Sequence, residues 1–181
     1  MVTHCIVELH NLWIGFSRSL YLSSAFGARD GLGRRIQLEA IATADSVDEA
    51  LTHAIRRTKP NTYRRGSPPW NWADEPSWGS PKILLDSLDE IGASNRQIVS
   101  NGLSTLTSVF THLPRFRNFY AHRNEDTARG LGGVLMNYGI AADMHASVAL
   151  LVAAQIRGVQ RPQPLLLDWV DDVINVISLV V

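Results

Sequence analysis

Residues 98–113, IVSNGLSTLTSVFTHL, are the segment that best indicates the fold class. Apolar side chains recur in it at alternating intervals of four and three residues, at Val99, Leu103, Leu106, Phe110 and Leu113. This spacing places them along one stripe of an α-helix. No segment shows the apolar-polar alternation that predicts a strand. We therefore expect an all-α protein with a long, well-packed helix at its centre.

Helical spacing continues on both sides of this stretch. It predicts helices over residues 7–26, 38–55, 83–91, 141–156 and 165–179. Ser46 followed by Glu49 is a capping-box pattern, which allows the second of these to be two helices that meet near Asp45. Because proline suits a first helical turn, a further helix is expected to begin at Pro114 and to fray over residues 130–133. The prediction is an up-and-down helical bundle.

Residues 58–81 differ in kind from the rest of the chain, because five prolines and three tryptophans fall within them. Such a proline density excludes a helix or a central strand, so we expect a long loop. Two interpretations of Trp70, Trp72 and Trp78 stay open. They clamp the loop onto the bundle, or, with basic neighbours such as Arg64, they stack unpaired bases.

The composition is that of one globular domain covering residues 1–181, with residues 58–81 as a loop insertion. Its 17 basic and 17 acidic residues balance, which argues against bulk electrostatic binding of long duplex nucleic acid. The single cysteine, Cys5, allows no internal disulfide, as expected in a reducing compartment. The N-terminus does not resemble a secretory signal, and acidic residues interrupt the apolar stretch 165–181. We expect a cytoplasmic protein without a membrane partner.

Most catalytic signatures are absent from the sequence, including the P-loop, C-x-x-C, H-E-x-x-H and G-x-S-x-G motifs. The histidines are not spaced as zinc ligands, so no metal site and no cofactor are predicted. The remaining cluster of chemically useful residues is 117–122, RNFYAH. On a helix, Asn118 and His122 share a polar face, whereas Arg117 lies roughly 140° around the axis from His122.

These three residue types suit cleavage of RNA. An imidazole such as that of His122 can take a proton from a ribose 2′-hydroxyl or give one to the leaving 5′-oxygen. The guanidinium of Arg117 can stabilise the phosphate charge, and Asn118 can position the phosphate. Because one histidine does not readily act as both base and acid, a two-fold dimer would supply the second. Three further arginines form either a basic rim for RNA or a solvated face: Arg115, Arg123 and Arg129.

The order Arg117, Asn118 and then His122 resembles the signature of the HEPN family, the helical ribonuclease and nucleotide-binding domains of prokaryotic toxin, CRISPR and phage-defence systems. The similarity in arrangement extends over residues 83–157. It implies a homodimer with both motifs lining one cleft, with Arg117, Asn118 and His122 as catalytic residues. It also implies metal-independent RNA cleavage that leaves a 2′,3′-cyclic phosphate, and an antitoxin or defence-system protein as a partner.

One position departs from a toxin subgroup of that family, which has tyrosine where this chain has Asn124. The departure counts against that subgroup's nucleotidyltransferase antitoxin, and it leaves the wider resemblance in place. The alternative function is a non-catalytic HEPN-like module that binds nucleotide, RNA or a protein partner. A third is a helical regulator whose loop, residues 58–81, docks a partner.

Overall fold

The computed structural model describes residues 2–104, 107–156 and 159–180. Within these ranges the elements are α1 Val2–Ala25, α2 Val47–Thr58, α3 Pro60–Arg65, α4 Pro81–Glu90, α5 Arg96–Ser104, α6 Thr107–His122, α7 Glu125–Asn137, α8 Ala146–Ala149, β1 Ala153–Ile156, β2 Val159–Pro164 and α9 Leu165–Val180. The predicted all-α class is therefore confirmed, with one short hairpin added.

The described residues fall into two compact units. The first comprises residues 2–12, 107–156 and 159–175, and the second comprises residues 13–104 and 176–180. Two of the boundaries fall within helices, after Leu12 in α1 and after Asn175 in α9. The interpretation of residues 1–181 as a single domain stays a prediction.

In the second unit, the start of α2 follows the capping signal in the sequence. Ser46 Oγ accepts a hydrogen bond from the backbone N–H of Glu49 at 3.1 Å, and the Glu49 carboxylate accepts one from the N–H of Asp45 at 2.8 Å. The prediction of helix over residues 38–45 is wrong. Leu38 forms a backbone bridge with Ala93 instead, so this segment pairs with the chain that follows α4 and is not helical.

The proline-rich segment contains one short helix, α3, which starts at Pro60. The prediction that no helix forms within residues 58–81 is wrong there, because the first turn of a helix does not use the N–H that proline lacks. Irregular chain follows from residue 66 to residue 80. Trp70 is buried, and its Nε1 donates to Thr52 Oγ1 at 2.8 Å.

Trp78 fixes the other end of this loop. Its ring packs on Tyr21 with a centroid separation of 5.2 Å, and its Nε1 donates to Glu75 Oε2 at 2.9 Å. The Glu75 carboxylate also accepts two hydrogen bonds from Arg18, at 2.7 and 2.8 Å. Trp70 and Trp78 therefore clamp the loop, whereas the side chain of Trp72 is 65% exposed.

Residues 98–113 belong to two helices, α5 and α6. The two residues between these helices, 105 and 106, lie outside the described residues. Val99, Phe110 and Leu113 are buried, as the spacing predicts. Pro114 lies inside α6, so the prediction that a new helix begins there is wrong. The helix continues through this position without the backbone hydrogen bond that the missing N–H would donate.

The predicted helix over residues 141–156 is also wrong. The structure has only the single turn α8 in this segment, followed by the antiparallel strands β1 and β2. Two prolines, Pro162 and Pro164, fall in β2. They are tolerated because each strand of a two-stranded sheet is an edge with unpaired backbone groups. The predicted helix over residues 165–179 is confirmed as α9.

The core of the first unit holds α6 in place through a cluster of aromatic rings. Trp169 of α9 packs edge-on against Phe116 of α6, with ring centroids 5.1 Å apart. Its Nε1 donates to the Tyr138 hydroxyl at 3.0 Å, and that hydroxyl lies 2.8 Å from His112 Nδ1. These contacts fix which face of α6 turns away from the core.

Candidate active site on helix α6

Helix α6 ends at His122, where the chain reverses. Arg123 adopts a left-handed backbone conformation with φ of 43°, and Asn124 then caps α7. Asn124 Oδ1 accepts from the N–H of Thr127 at 2.9 Å, and Thr127 Oγ1 accepts from the N–H of Asn124 at 3.1 Å. The predicted continuation of the motif helix to residues 130–133 is wrong, because this reciprocal cap starts a new helix.

The side of the motif opposite Asn118 and His122 carries three aromatic residues. Phe116 is fully buried, whereas Phe119 and Tyr120 are half-buried. The Tyr120 hydroxyl lies 3.0 Å from Ser147 Oγ, a contact that anchors the C-terminal part of α6 to α8. These aromatic residues hold the helix, and the opposite face is left to solvent.

The three predicted catalytic residues lie in the last two turns of α6. Asn118 and His122 are exposed and Arg117 is half-buried. An Arg117 terminal nitrogen donates to Asn118 Oδ1 at 3.4 Å, a long hydrogen bond between adjacent residues. Within the described part of the chain, no hydrogen bond or ion pair involves the side chain of His122. The structure therefore joins Arg117 to Asn118 and leaves the imidazole of His122 open to a ligand.

A second histidine, His10 of α1, lies near Arg117. Burial lowers the pKa of His10 below its ordinary value, and the positive charge of Arg117 lowers it further. His10 Nδ1 is buried and has no hydrogen-bond partner among the described residues. No sequence pattern points to this proximity, because it depends on packing between segments far apart in the chain.

The three rim arginines differ in their surroundings. Arg115, Arg123 and Arg129 are all exposed. Arg129 pairs within α7, with Glu125 at 3.0 Å and Asp126 at 3.8 Å. Arg115 and Arg123 have no carboxylate partner among the described residues. Two of the three predicted rim residues therefore keep an uncompensated positive charge beside the motif.

No group of three or more His, Cys, Asp and Glu side chains is placed to hold a metal ion in the described ranges. None of the helices described is both long enough and apolar enough to cross a membrane. No protein-family model, no curated protein and no solved structure matches the chain.

Proposed function

We propose that the chain is a metal-independent endoribonuclease of HEPN type that works in a toxin or phage-defence setting. The observation that carries the proposal is the arrangement at the end of α6. There a guanidinium, an amide and an imidazole without a partner among the described residues occur within six residues; Asn118 and His122 are exposed, and Arg117 is half-buried.

Each residue has a distinct role in the proposed reaction. A histidine base takes the proton of a ribose 2′-hydroxyl, and the resulting oxygen attacks the adjacent phosphorus. Arg117 stabilises the negative charge that develops on the non-bridging oxygens, and Asn118 orients the phosphate. The 5′-oxygen leaves with a proton from a histidinium acid. The products are a 2′,3′-cyclic phosphate and a 5′-hydroxyl end.

The reaction needs two proton-transfer groups, and the proposal takes the second from another copy of the chain. A two-fold dimer that brings two α6 ends together places one His122 as base and the other as acid. The exposure of His122 supports this arrangement, since its imidazole is accessible to a partner copy and to RNA alike.

The proposal is tested by incubating the full chain with mixed cellular RNA in EDTA. Cleavage by the wild type, lost in both His122→Ala and Arg117→Ala, supports it. His145→Ala and Arg57→Ala are matched controls, since His145 and Arg57 are also exposed but are not among residues 117–122. Circular dichroism of each variant separates loss of chemistry from loss of fold. Cleavage that persists in His122→Ala would exclude the assignment.

A second candidate function is binding of single-stranded RNA without cleavage, and the exposure of Trp72 favours it. Its ring stands at the tip of a turn that Asn71 closes, where Asn71 Oδ1 accepts from the N–H of Ala73 at 2.9 Å. An exposed indole gives a sequence-tolerant stacking surface for unpaired bases. RNA binding that is weakened by Trp72→Ala, without any cleavage by the wild type, would favour this candidate.

A further inference from the structure

A cavity of about 290 Å³ opens in the second unit. One wall is the loop from Asp30 to Ile36, and the other is the segment from Ser94 to Ile98, which begins α5. Ile36 and Ile98 line it with apolar surface, and the remaining lining side chains are polar or charged. Nothing in the proposed ribonuclease mechanism uses this cavity.

Asn95, one of the residues that line the cavity, carries a buried hydrogen-bond acceptor that is unsatisfied among the described residues. Asn95 is only 5% exposed, and its Nδ2 donates to Ser24 Oγ at 3.0 Å. The Ser24 hydroxyl itself donates to the Leu20 carbonyl at 2.9 Å, so its oxygen must accept from Asn95, which fixes the orientation of the amide. Asn95 Oδ1 therefore has no partner in the described part of the chain. A buried acceptor of this kind costs free energy until a donor reaches it.

The same asparagine leaves the start of α5 without its usual side-chain cap. The Asn95 carbonyl accepts from the N–H of Val99 at 3.1 Å, which places Asn95 at the capping position. Its side chain turns to Ser24 instead of capping the helix. The N–H groups of Gln97 and Ile98 have no acceptor among the described residues. A helix N-terminus with open N–H groups favours an anion.

Arg35, which also lines the cavity, has a positively charged side chain without a counter-ion in the described ranges. Arg34 is paired with Asp30, with Nε to Oδ2 at 2.9 Å, whereas Arg35 has no carboxylate partner in the described ranges. The Arg35 guanidinium lies over Gly27, where a Cβ would come within 3.3 Å of its Nε. Ser94 Oγ already accepts from the N–H of Gln37 at 3.0 Å, which leaves its hydroxyl hydrogen to donate.

We propose that this cavity binds a small phosphate monoester that also carries a hydroxyl or amino donor. The phosphate meets Arg35, the Ser94 hydroxyl and the start of α5, and the donor of the same molecule meets Asn95 Oδ1. Donors on three sides suit the three terminal oxygens of a phosphate better than the two of a carboxylate. The volume is sufficient for a molecule the size of a pentose phosphate.

The test is calorimetric titration of the full chain with four probes: ribose 5-phosphate, ribose, inorganic phosphate and L-glutamate. The expected order of affinity places ribose 5-phosphate first, at least tenfold tighter than any other probe. Side-chain amide resonances in ¹⁵N-labelled protein locate the site, because the Asn95 amide should shift on binding.

Two variants at the rim of the cavity provide the decisive comparison. Arg35→Ala and Ile98→Glu should each weaken ribose 5-phosphate binding at least tenfold, the first by removing a positive charge and the second by adding a negative one. Their controls are Arg57→Ala and Val47→Glu, which make the same changes at exposed positions that do not line the cavity. All four change exposed side chains, so the fold should be kept.

Three outcomes would overturn the proposal. The first is no measurable binding of ribose 5-phosphate at millimolar concentration, which would mean that only solvent fills the cavity. The second is equal binding of L-glutamate, which would show a carboxylate site. The third is binding that Arg35→Ala and Ile98→Glu leave unchanged. None of these readouts uses RNA cleavage, so this proposal and the proposed ribonuclease function fail independently.

Discussion

Arg117 of α6 lies close enough to His10 of α1 for its positive charge to lower the pKa of the His10 imidazole. Burial of His10 acts in the same direction and is the larger cause. The neutral, proton-accepting form of His10 is therefore favoured beside the guanidinium proposed to hold the scissile phosphate. His10 therefore places a second imidazole near the motif of residues 117–122, within the same copy of the chain.

The first prediction concerns this second imidazole. With His10 in a proton-transfer role, His10→Ala should lower the single-turnover rate constant for RNA cleavage about 10²- to 10⁴-fold, the range for loss of general acid–base catalysis. The measurement is single-turnover cleavage across pH 5–8. His53→Ala is the control, since burial and a neighbouring arginine lower the pKa of His53 as well. Equal rates for the wild type and His10→Ala would remove His10 from the mechanism.

The second prediction concerns the pair of Arg18 and Glu75, which clamps the loop of residues 66–80. Arg18 donates two hydrogen bonds to Glu75, a carboxylate that is only 6% exposed. Arg18→Met should lower the free energy of unfolding by about 3 kcal/mol, because it leaves a buried charge without its partner. Urea denaturation followed by tryptophan fluorescence measures the change. The double variant Arg18→Met/Glu75→Gln should recover part of the loss, and a single variant as stable as the wild type would refute the clamp.

The third prediction is a loss of stability in mild acid. Burial holds the pKa of His112 below its ordinary value of 6.5, and the charge of Arg115 lowers it further. Between the native pKa and 6.5 the unfolded chain binds more protons, so stability falls as the pH drops through this window. His10 and His53 are shifted in the same direction. The unfolding free energy should be lower at pH 5.5 than at pH 7.5.

A variant at His112 isolates one contribution to this pH dependence. His112 Nδ1 lies 2.8 Å from the Tyr138 hydroxyl, which accepts from Trp169 Nε1 and can donate its hydrogen to a neutral imidazole. In His112→Gln the decrease in stability from pH 7.5 to pH 5.5 should be smaller than in the wild type. An unchanged or steeper pH dependence would contradict the assignment of His112 as a neutral acceptor.

The fourth prediction concerns the turn after the motif. Arg123 has a φ of 43°, in the left-handed region that costs a residue with a side chain about 1 kcal/mol more than glycine. Arg123→Gly should raise the midpoint of thermal unfolding, with a gain of up to about 1 kcal/mol. Arg129→Gly, inside α7, should instead destabilise by about 1 kcal/mol. A loss of stability in both variants would argue against the left-handed turn.

Much of the helical content followed from spacing alone, and each failure has a specific physical cause. Residues 165–179 carry a strong apolar stripe and form α9 as predicted. Residues 38–45 have similar spacing but do not form a helix, because Leu38 bridges to Ala93, a contact between distant parts of the sequence. The hairpin that begins at Ala153 was missed because β1 has only four residues and β2 contains two prolines.

The motif illustrates the same division between local and long-range information. Helical periodicity was sufficient to predict that Asn118 and His122 share a polar face, and both side chains are exposed. It was not sufficient to find the end of the helix, which depends on the cap that Asn124 forms with Thr127. Nor does any sequence pattern bring His10 to Arg117, because that proximity arises from packing within the first unit.

Attack by the ribose 2′-hydroxyl is tested with a synthetic RNA that contains one cleaved position, prepared with a ribose or a 2′-deoxyribose at that nucleotide. In EDTA, we expect cleavage of the all-ribose strand, with a 2′,3′-cyclic phosphate and a 5′-hydroxyl end identified by mass spectrometry. We expect no cleavage of the 2′-deoxy strand. Cleavage of the 2′-deoxy strand, or a product with a 3′-hydroxyl end, would contradict attack by the 2′-hydroxyl.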